Sequence, residues 1–227
     1  MRAMILAAGL GKRMQPLTNQ TPKPLVELAG QPLIVYHLKN LARANIKDIV
    51  INLGHLGEKI ESVLKDGSEF GVNIEYSRED PILETGGGVV KALPLLGPDP
   101  FLVLSGDILT DYPFQNLPKN LEKLAHFVLV DNPPHHPKGD YALSGDLVNQ
   151  TGDPLLNYGG ITVFDPKFFE GAPKGKFPLP VLFEKWMPKG EITGEYYSGL
   201  WHNLGTIEQL HALNESAIIH QFCRQLV

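Results

Sequence analysis

Two glycines, two cations and a proline-flanked lysine follow the first apolar run of the chain, in the stretch ILAAGLGKRMQPLTNQTPKPL. Gly9 and Gly11 allow backbone N–H groups to approach a ligand closely, and such a loop directly after a strand forms a nest for anions. Arg13 offers a planar, permanently charged fork that suits phosphate oxygens. The prolines on either side of Lys23 restrict its backbone, so it loses less entropy on binding. The pattern favours an anion-binding loop.

The glycines match neither of two common nucleotide motifs. Met14 stands where the third glycine of a dinucleotide fingerprint would be, and no Gly-Lys-Ser/Thr run closes a P-loop. Because a lone G-x-G is frequent in ordinary turns, a solvated proline-rich turn stays open as the alternative.

A carboxylate stands at the end of another apolar run, VLSGDIL, where Asp107 follows a predicted strand. At that position it could ligate Mg²⁺ through a hard oxygen or simply cap a turn. Asp111 follows four residues later, which is not the D-x-D spacing of glycosyltransferases.

Composition limits the partners. The chain has 227 residues, a net charge of -5 and a single cysteine, Cys223. A broad nucleic-acid or membrane face is not expected, and the converging cations should bind something small. Intrachain disulfides and cysteine-rich zinc sites are excluded, and isolated histidines disfavour a histidine metal site. The N-terminal apolar run is too short to span a membrane, so we expect a cytoplasmic protein.

The elements that must position these residues alternate in the first half of the chain. Periodicity predicts strands at 3–8, 48–54, 73–77 and 101–107, with helices at 32–44, 58–65 and 88–93, the last ending before Pro94. This alternation predicts a largely parallel sheet, with ligands beyond the carboxyl ends of its strands.

The second half is richer in strands. We predict strands at 125–132, 140–146 and 159–165, a hairpin at 195–205 and a closing helix at 206–222. No linker separates the halves, so we expect one domain over 1–227, with its two halves at 1–110 and 111–227.

The stretch LAAGLGKRMQPLTNQTPKPL resembles the nucleotide-binding motif of the sugar nucleotidyltransferases, which combines a G-x-G loop, an arginine and a later P-K-P. The resemblance implies an α/β, Rossmann-like GT-A-type fold: a mixed, mostly parallel central sheet flanked by helices, with a smaller β-rich sugar-binding extension. It also implies transfer of a nucleotidyl group from an NTP to a sugar 1-phosphate, with Mg²⁺ as cofactor. By the same resemblance, 1–110 would be the nucleotide-binding half and 111–227 the sugar-binding half.

The same resemblance assigns roles to individual residues. Arg13, Lys23 and Asp107 would be catalytic, with Asp107 also a metal ligand. The implied nucleotide-binding residues are Leu6, Ala7, Ala8, Gly9, Gly11, Lys12, Arg13, Lys23, Ser77, Thr85 and Gly86. The implied sugar-binding residues are Glu84, Gly87, Ser105, Asp140, Gly160 and Glu195, of which two belong to the glycine cluster LETGGG.

One position departs from the family pattern. In WHNLGT, Asn203 stands where the family usually has an aspartate as second metal ligand. An amide oxygen can still coordinate Mg²⁺ but adds no formal charge, so we expect weaker metal binding. A polar strand end without a metal role is the alternative for Asn203.

The segments HFVLVDNPPHHPKGDYAL and YSREDPILETGGGVVKALPLLG resemble a narrower branch, the uridylyltransferases of N-acetylmuramate 1-phosphate that act in cell-wall recycling. UTP is therefore the favoured nucleotide, in a monomer or small homo-oligomer. Many similar proteins are mannose 1-phosphate guanylyltransferases, which leaves base and sugar open. A GT-A glycosyltransferase and a catalytically impaired nucleotide-sugar sensor are the alternatives outside this reaction.

Overall fold

Strands and helices alternate through the first half of the chain, because short buried apolar runs are followed by stretches with helical spacing. The structure, a computed structural model, describes residues 1–226, so Val227 of the predicted domain lies outside the described residues. The strands are β1 Ala3–Leu6, β2 Glu27–Leu28, β3 Gln31–Pro32, β4 Asp48–Leu53, β5 Asn73–Arg78, β6 Phe101–Ser105, β7 Ile108–Thr110, β8 Ala125–Val130, β9 Tyr141–Ser144, β10 Leu147–Asn149, β11 Leu155–Phe164, β12 Ile192–Tyr197 and β13 Trp201–Asn203. The helices are α1 Leu33–Arg43, α2 Gly57–Leu64, α3 Glu84–Leu96, α4 Pro180–Trp186, α5 Ile207–Glu215 and α6 Ala217–Leu226.

Nine strands form the central sheet in the order β5-β4-β1-β6-β11-β8-β12-β10-β9. Strands β5, β4, β1 and β6 are parallel, as the crossover helices require. Strand β11 runs antiparallel to both β6 and β8, and β10 antiparallel to both β12 and β9. Strand β9 also pairs antiparallel with β11, and two small sheets, β13-β7 and β2-β3, complete the pairings of the described residues.

Three apolar clusters hold the sheet and its helices together. One face packs on α1 and α2 through residues such as Ile5, Ile51 and Leu38. The other face packs on α3 and α4, with a dense aromatic group around Phe127, Phe164 and Phe183. A third cluster joins the first loop to α1, α5 and α6. In the described residues, no helix has the length and apolar character that crossing a membrane requires.

Helix α3 differs from the prediction at both ends. It begins at Glu84 rather than Gly88, and it continues through Pro94 to Leu96. The glycines of LETGGG therefore lie inside the helix rather than before it. Propensity alone disfavours glycine in a helix, but close packing requires it here, as described below. Pro94 cannot donate an i→i−4 hydrogen bond, and the helix ends two residues after it.

The predicted hairpin at 195–205 is wrong. Strand β12 pairs with β8 and β10 in the central sheet, whereas β13 pairs with β7 in a separate ladder. The two strands look like a hairpin in sequence because only three residues separate them, but the chain changes sheets there. The predicted closing helix is in fact two helices, α5 and α6, which are divided at Ser216.

Candidate active site

A cleft of about 710 Å³ opens beyond the carboxyl ends of β1, β4 and β6, where an open parallel sheet binds its ligands. Its volume suits a nucleotide-sized ligand. The predicted site residues that line it are Leu6, Ala7, Ala8, Gly9, Gly11, Lys12, Arg13, Lys23, Glu84, Thr85, Ser105 and Asp107. Residues that the sequence did not single out also line it: Leu10, Pro24, Asn52, Glu79, Ile82, Gly106, Lys176, Pro178 and Gly205.

The first loop has the geometry of an anion-binding turn. Gly11 adopts a left-handed conformation (φ 61°), and its carbonyl accepts a hydrogen bond of 2.8 Å from the hydroxyl of Thr18. A Cβ on Gly11 would lie 2.8 Å from that threonine side chain, so glycine is required there. Gly9, in contrast, faces open space. A ligand can therefore approach the backbone of Gly9 without a steric barrier.

Arg13 follows in a short 3-10 helix, Lys12–Met14, that closes the loop. Its guanidinium lies against Gly205 of the C-terminal half, where a Cβ would come within 3.3 Å of Nη1. Because Asp107 and Gly205 line the same cleft as Arg13, the cation and the carboxylate do share one site.

Lys23 and Asp107 are in direct contact. Nζ of Lys23 donates a hydrogen bond of 2.6 Å to Oδ2 of Asp107. The lysine side chain is 13% exposed and the aspartate side chain 33% exposed. Water competes less for a partly buried ion pair than for one on the surface. The pair therefore fixes the position of both groups.

The position of Asp107 is also set by the β7–β13 ladder. Its carbonyl accepts a hydrogen bond of 2.8 Å from the N–H of Leu204, and Ile108 is paired with Asn203. Oδ1 of Asn203 is buried and has no hydrogen-bond partner among residues 1–226. A buried acceptor without a partner, one ladder position from a carboxylate, is the kind of atom that a cation would satisfy. The residues present therefore fit a Mg²⁺ ion.

That donor set is small. Among residues 1–226, no three His, Cys, Asp or Glu side chains are grouped closely enough to hold a metal. One carboxylate and one amide oxygen leave most coordination positions to water and substrate phosphates, which is common for Mg²⁺.

A buried hydrogen-bond network supports the floor of the cleft. The N–H of Ala7 donates to Oδ1 of Asn52 (2.6 Å), and Nδ2 of Asn52 donates to Oε1 of Glu79 (2.8 Å). Oε2 of Glu79 accepts from the N–H of Leu83 (2.8 Å). Asn52 and Glu79 are nearly inaccessible to solvent, at 2% and 6% exposed. The network fixes the first loop relative to the segment that leads into α3.

A second wall of the cleft is formed by Glu84, Thr85, Lys176 and Pro178. Glu84 begins α3 in a left-handed conformation (φ 61°), which is unfavourable for a residue with a side chain. Its carboxylate lies 3.4 Å from Nζ of Lys176. The second wall therefore carries one ion pair that is separate from the pair between Lys23 and Asp107.

The glycines of α3 allow this wall to pack tightly. A Cβ on Gly86 would lie 2.3 Å from the ring of Phe177, and one on Gly87 would lie 2.2 Å from the carbonyl oxygen of Gly175. The N–H groups of Gly86 and Gly87 both donate to the carbonyl of Phe177. The structure thus places these two predicted binding residues against the chain itself, not on the cleft wall.

Besides Asn203, four other predicted residues lie off the cleft wall. Ser77 is buried in β5. Asp140 accepts from the N–H of Tyr158 (2.8 Å) and contacts the ring of His136. Glu195 accepts a hydrogen bond from the hydroxyl of Tyr112.

The fourth, Gly160, lies beside a residue of the cleft. It is left-handed (φ 71°) at a bulge in β11, and a Cβ there would lie 2.7 Å from Oγ of Ser105, which does line the cleft. Bulges of this kind frequently lie next to active sites.

Some cleft residues that were not predicted carry a signal in the sequence, and others carry none. Asn52 is a polar residue near the carboxyl end of the apolar strand β4, and Glu79 directly follows the carboxyl end of β5; strand ends of this kind are where an α/β sheet binds ligands. Lys176 lies in a segment without any periodic pattern, so only the fold brings it to the cleft.

A buried histidine lies behind the carboxylate. His37 of α1 is 2% exposed, and its Nε2 has no hydrogen-bond partner in the part of the chain that the structure describes. Burial lowers the pKa of His37 to about 4, although the nearby charge of Asp107 and the backbone of Ile108 and Gly106 act in the opposite direction. The imidazole is therefore neutral at neutral pH.

Two relatives match nearly the whole chain. N-acetylmuramate alpha-1-phosphate uridylyltransferase of Neisseria meningitidis is 45% identical, in a match that covers 92% of this chain and 95% of the relative. The protein of the same name from Caulobacter vibrioides is 32% identical, over 89% of this chain and 91% of its own. Mannose-1-phosphate guanyltransferase of Gibberella zeae is 42% identical, but over only 52% of this chain and 33% of its own length.

Solved structures agree in fold. A Bacillus anthracis protein named as a glucose-1-phosphate thymidylyltransferase, crystallised with sucrose, has a TM-score of 0.85 at 24% identity and covers 97% of this chain and 95% of its own. HddC from Yersinia pseudotuberculosis in complex with GMP-PN has a TM-score of 0.78 at 21% identity, over 94% and 98% of the two chains. These likenesses confirm the predicted Rossmann-like α/β fold.

The sheet, the cationic first loop and the strand-end carboxylate together define an enzyme that acts on nucleotide phosphates. A family model described as "Nucleotidyl transferase" matches residues 2–143. The chain belongs to this nucleotidyl transferase family, and the family resemblance found in its sequence is confirmed.

Proposed function

We propose that the chain transfers a uridylyl group from UTP to N-acetylmuramate 1-phosphate, giving UDP-N-acetylmuramate and pyrophosphate. The observation that supports the substrates is the 45% identity to a uridylyltransferase of that name across nearly both full lengths. The guanyltransferase relatives match only half of this chain, so they support the reaction class more than their own substrates. The product would enter cell-wall recycling in the cytoplasm, where UTP is available.

In the proposed reaction, an oxygen of the sugar phosphate attacks the α-phosphorus of UTP in line, and pyrophosphate leaves from the opposite side. A sugar 1-phosphate carries most of its second charge at neutral pH, since that pKa is about 6. It therefore needs no general base. The task of the site is to bring two anions together, and alignment alone can supply about 7–11 kcal/mol of the barrier.

The residues of the cleft suit this task. Arg13 and the loop of Gly9 and Gly11 would hold the triphosphate. Lys23 would move from Asp107 toward the reacting phosphate oxygens, where its charge is most useful in the transition state. Asp107 and Asn203 would hold Mg²⁺, which when bound supplies additional positive charge to the phosphates.

The experiment that tests this function is a pyrophosphate-release assay. Each of the four NTPs is combined with the 1-phosphates of N-acetylmuramate, mannose, glucose and N-acetylglucosamine. We expect the highest kcat/KM for UTP with N-acetylmuramate 1-phosphate. A higher value for GTP with mannose 1-phosphate would replace these substrates, and the absence of pyrophosphate with every pair would contradict the transfer reaction itself.

The replacement of the usual family aspartate by Asn203 favours a second candidate function, a nucleotide-sugar sensor without turnover. A sensor would bind UDP-sugars but release no pyrophosphate at any Mg²⁺ concentration. The same assay distinguishes the proposed enzyme from a GT-A glycosyltransferase, because a glycosyltransferase consumes a sugar nucleotide and releases no pyrophosphate.

A further inference from the structure

Lys176 is a cation of the cleft that the proposed reaction does not use. Among the described residues that line the cleft, the other cations are Lys12, Arg13 and Lys23, all from the first 25 residues of the chain. Lys176 instead comes from the segment before α4, and its recorded ion pair is with Glu84 of the second wall. Its side chain is 62% exposed, so it is accessible to a ligand.

The backbone around Lys176 is held firmly. The N–H of Phe177 donates to the carbonyl of Leu83 (3.1 Å), and the Phe177 carbonyl accepts from Gly86 and Gly87. The N–H of Leu179 donates to the hydroxyl of Thr85 (2.9 Å). Phe177 itself is only 6% exposed. These bonds fix the attachment point of the lysine, which reduces the entropy lost when its ammonium group binds.

The charges of the two proposed substrates limit what Lys176 can bind. In UTP the negative charge is on the triphosphate, which the first loop and Lys23 would hold; the base and ribose are neutral. The phosphate of the sugar must come close to the α-phosphorus, and so to the same cations. N-acetylmuramate carries one further anion, the carboxylate of its lactyl ether, which is ionised at neutral pH because a carboxyl pKa is about 4.

We propose that Lys176 binds the lactyl carboxylate and thereby selects N-acetylmuramate 1-phosphate over amino sugars without a lactyl group. This inference rests on the proposed function. Without substrate, the carboxylate of Glu84 pairs with the ammonium group of Lys176 in place of the ligand carboxylate. On binding, the lactyl carboxylate replaces Glu84 or joins it around the ammonium, which has three donors.

The test combines one change in the protein with one change in the substrate. Lys176→Met removes the charge, and Lys174→Met is the matched control, since Lys174 is an exposed lysine of the same segment that does not line the cleft. Each protein is assayed for pyrophosphate release from UTP with N-acetylmuramate 1-phosphate and with its lactyl carboxamide, which has nearly the same shape without the charge.

We expect the wild type and Lys174→Met to prefer the acid over the amide by about 10- to 100-fold in kcat/KM, the usual range for a charge-assisted hydrogen bond. In Lys176→Met this preference should disappear, mainly through a higher KM for the acid, while the KM for UTP stays unchanged. The unchanged UTP value shows that the variant is folded.

The outcomes separate the two proposals. If the wild type releases no pyrophosphate with UTP and N-acetylmuramate 1-phosphate, the proposed function is wrong and the inference fails with it. If the wild type is active but uses acid and amide equally well, the inference alone is overturned. An equal loss on both sugars in Lys176→Met also overturns it, because the lysine would then contact the phosphate or another shared group.

Discussion

Lys23 and Asp107 lie 84 residues apart in the sequence and form an ion pair of 2.6 Å in the cleft. The pair joins the end of the proline-flanked loop to the carboxyl end of the central strand β6. A lysine held at a carboxylate in this way is already positioned for the phosphates that would gather around it.

Lys23→Met is expected to lower kcat for pyrophosphate release by about 10²- to 10³-fold, the usual effect of removing one preorganised transition-state contact. Steady-state kinetics with Lys47→Met as control, an exposed lysine after α1, would measure this. A kcat within a few-fold of the wild type would remove Lys23 from the chemistry.

Asn203→Asp is expected to raise the apparent Mg²⁺ affinity by about tenfold, because it adds a charge next to Asp107. Without metal, the two neighbouring carboxylates should repel and lower the Tm; added Mg²⁺ should restore it. Thermal melts in EDTA and in a Mg²⁺ series measure this without any substrate.

The control for Asn203→Asp is Asn132→Asp, because Oδ1 of Asn132 is likewise buried without a partner. Asn132 lies outside the β7–β13 ladder that holds Asp107 and Asn203 together, and its Nδ2 donates to the carbonyl of Leu155, so its variant should not respond to Mg²⁺. If Asn203→Asp and the wild type show the same Mg²⁺ dependence, position 203 is not a metal ligand.

Asn52→Ala is expected to destabilise the protein by about 2 kcal/mol, since it leaves the N–H of Ala7 and one oxygen of Glu79 without their buried partner. It should also raise the KM for the nucleotide, because the first loop loses its anchor. Urea unfolding measures the first effect, with Asn73→Ala as control; the Asn73 side chain makes an exposed hydrogen bond to Asp48. Equal unfolding free energies for the two variants would contradict this role of the network.

His37 should make the protein sensitive to acid. Its pKa is about 4 when folded and about 6.5 when unfolded, so below pH 6.5 the unfolded chain binds the proton more readily. Stability from this group is therefore complete above about pH 6.5 and is lost as the pH falls toward 4, by about 2 kcal/mol at pH 5.

In His37→Gln this part of the acid sensitivity should be absent, whereas His211→Gln, at an exposed position, should behave like the wild type. Urea unfolding at neutral pH and near pH 5 compares the three proteins. The same loss of stability in His37→Gln as in the wild type would show that another group is responsible.

Sequence patterns predicted the first four strands of the central sheet within a few residues, because they are short runs separated from one another by stretches with helical spacing. They also predicted that Arg13, Lys23 and Asp107 share a cleft. They failed at α3, where contacts with Phe177 and Glu79 select glycines that local propensity would place in a loop. The path from β12 to β13 was missed for a related reason: strand partners far away in sequence decide it, and no local pattern records them.

The order of strands in the central sheet limits where the chain can be cut into fragments. Strand β11, from the C-terminal half, lies between β6 and β8, and the β7–β13 ladder joins the two halves a second time. A fragment that stops near residue 110 would keep every cation of the first loop, yet it would expose one full edge of β6 and the apolar surface beside it. We expect such a fragment to self-associate through that edge. A split version with two recombining pieces would need its break in an outer turn, such as the one between β9 and β10, where residues 144–147 are exposed.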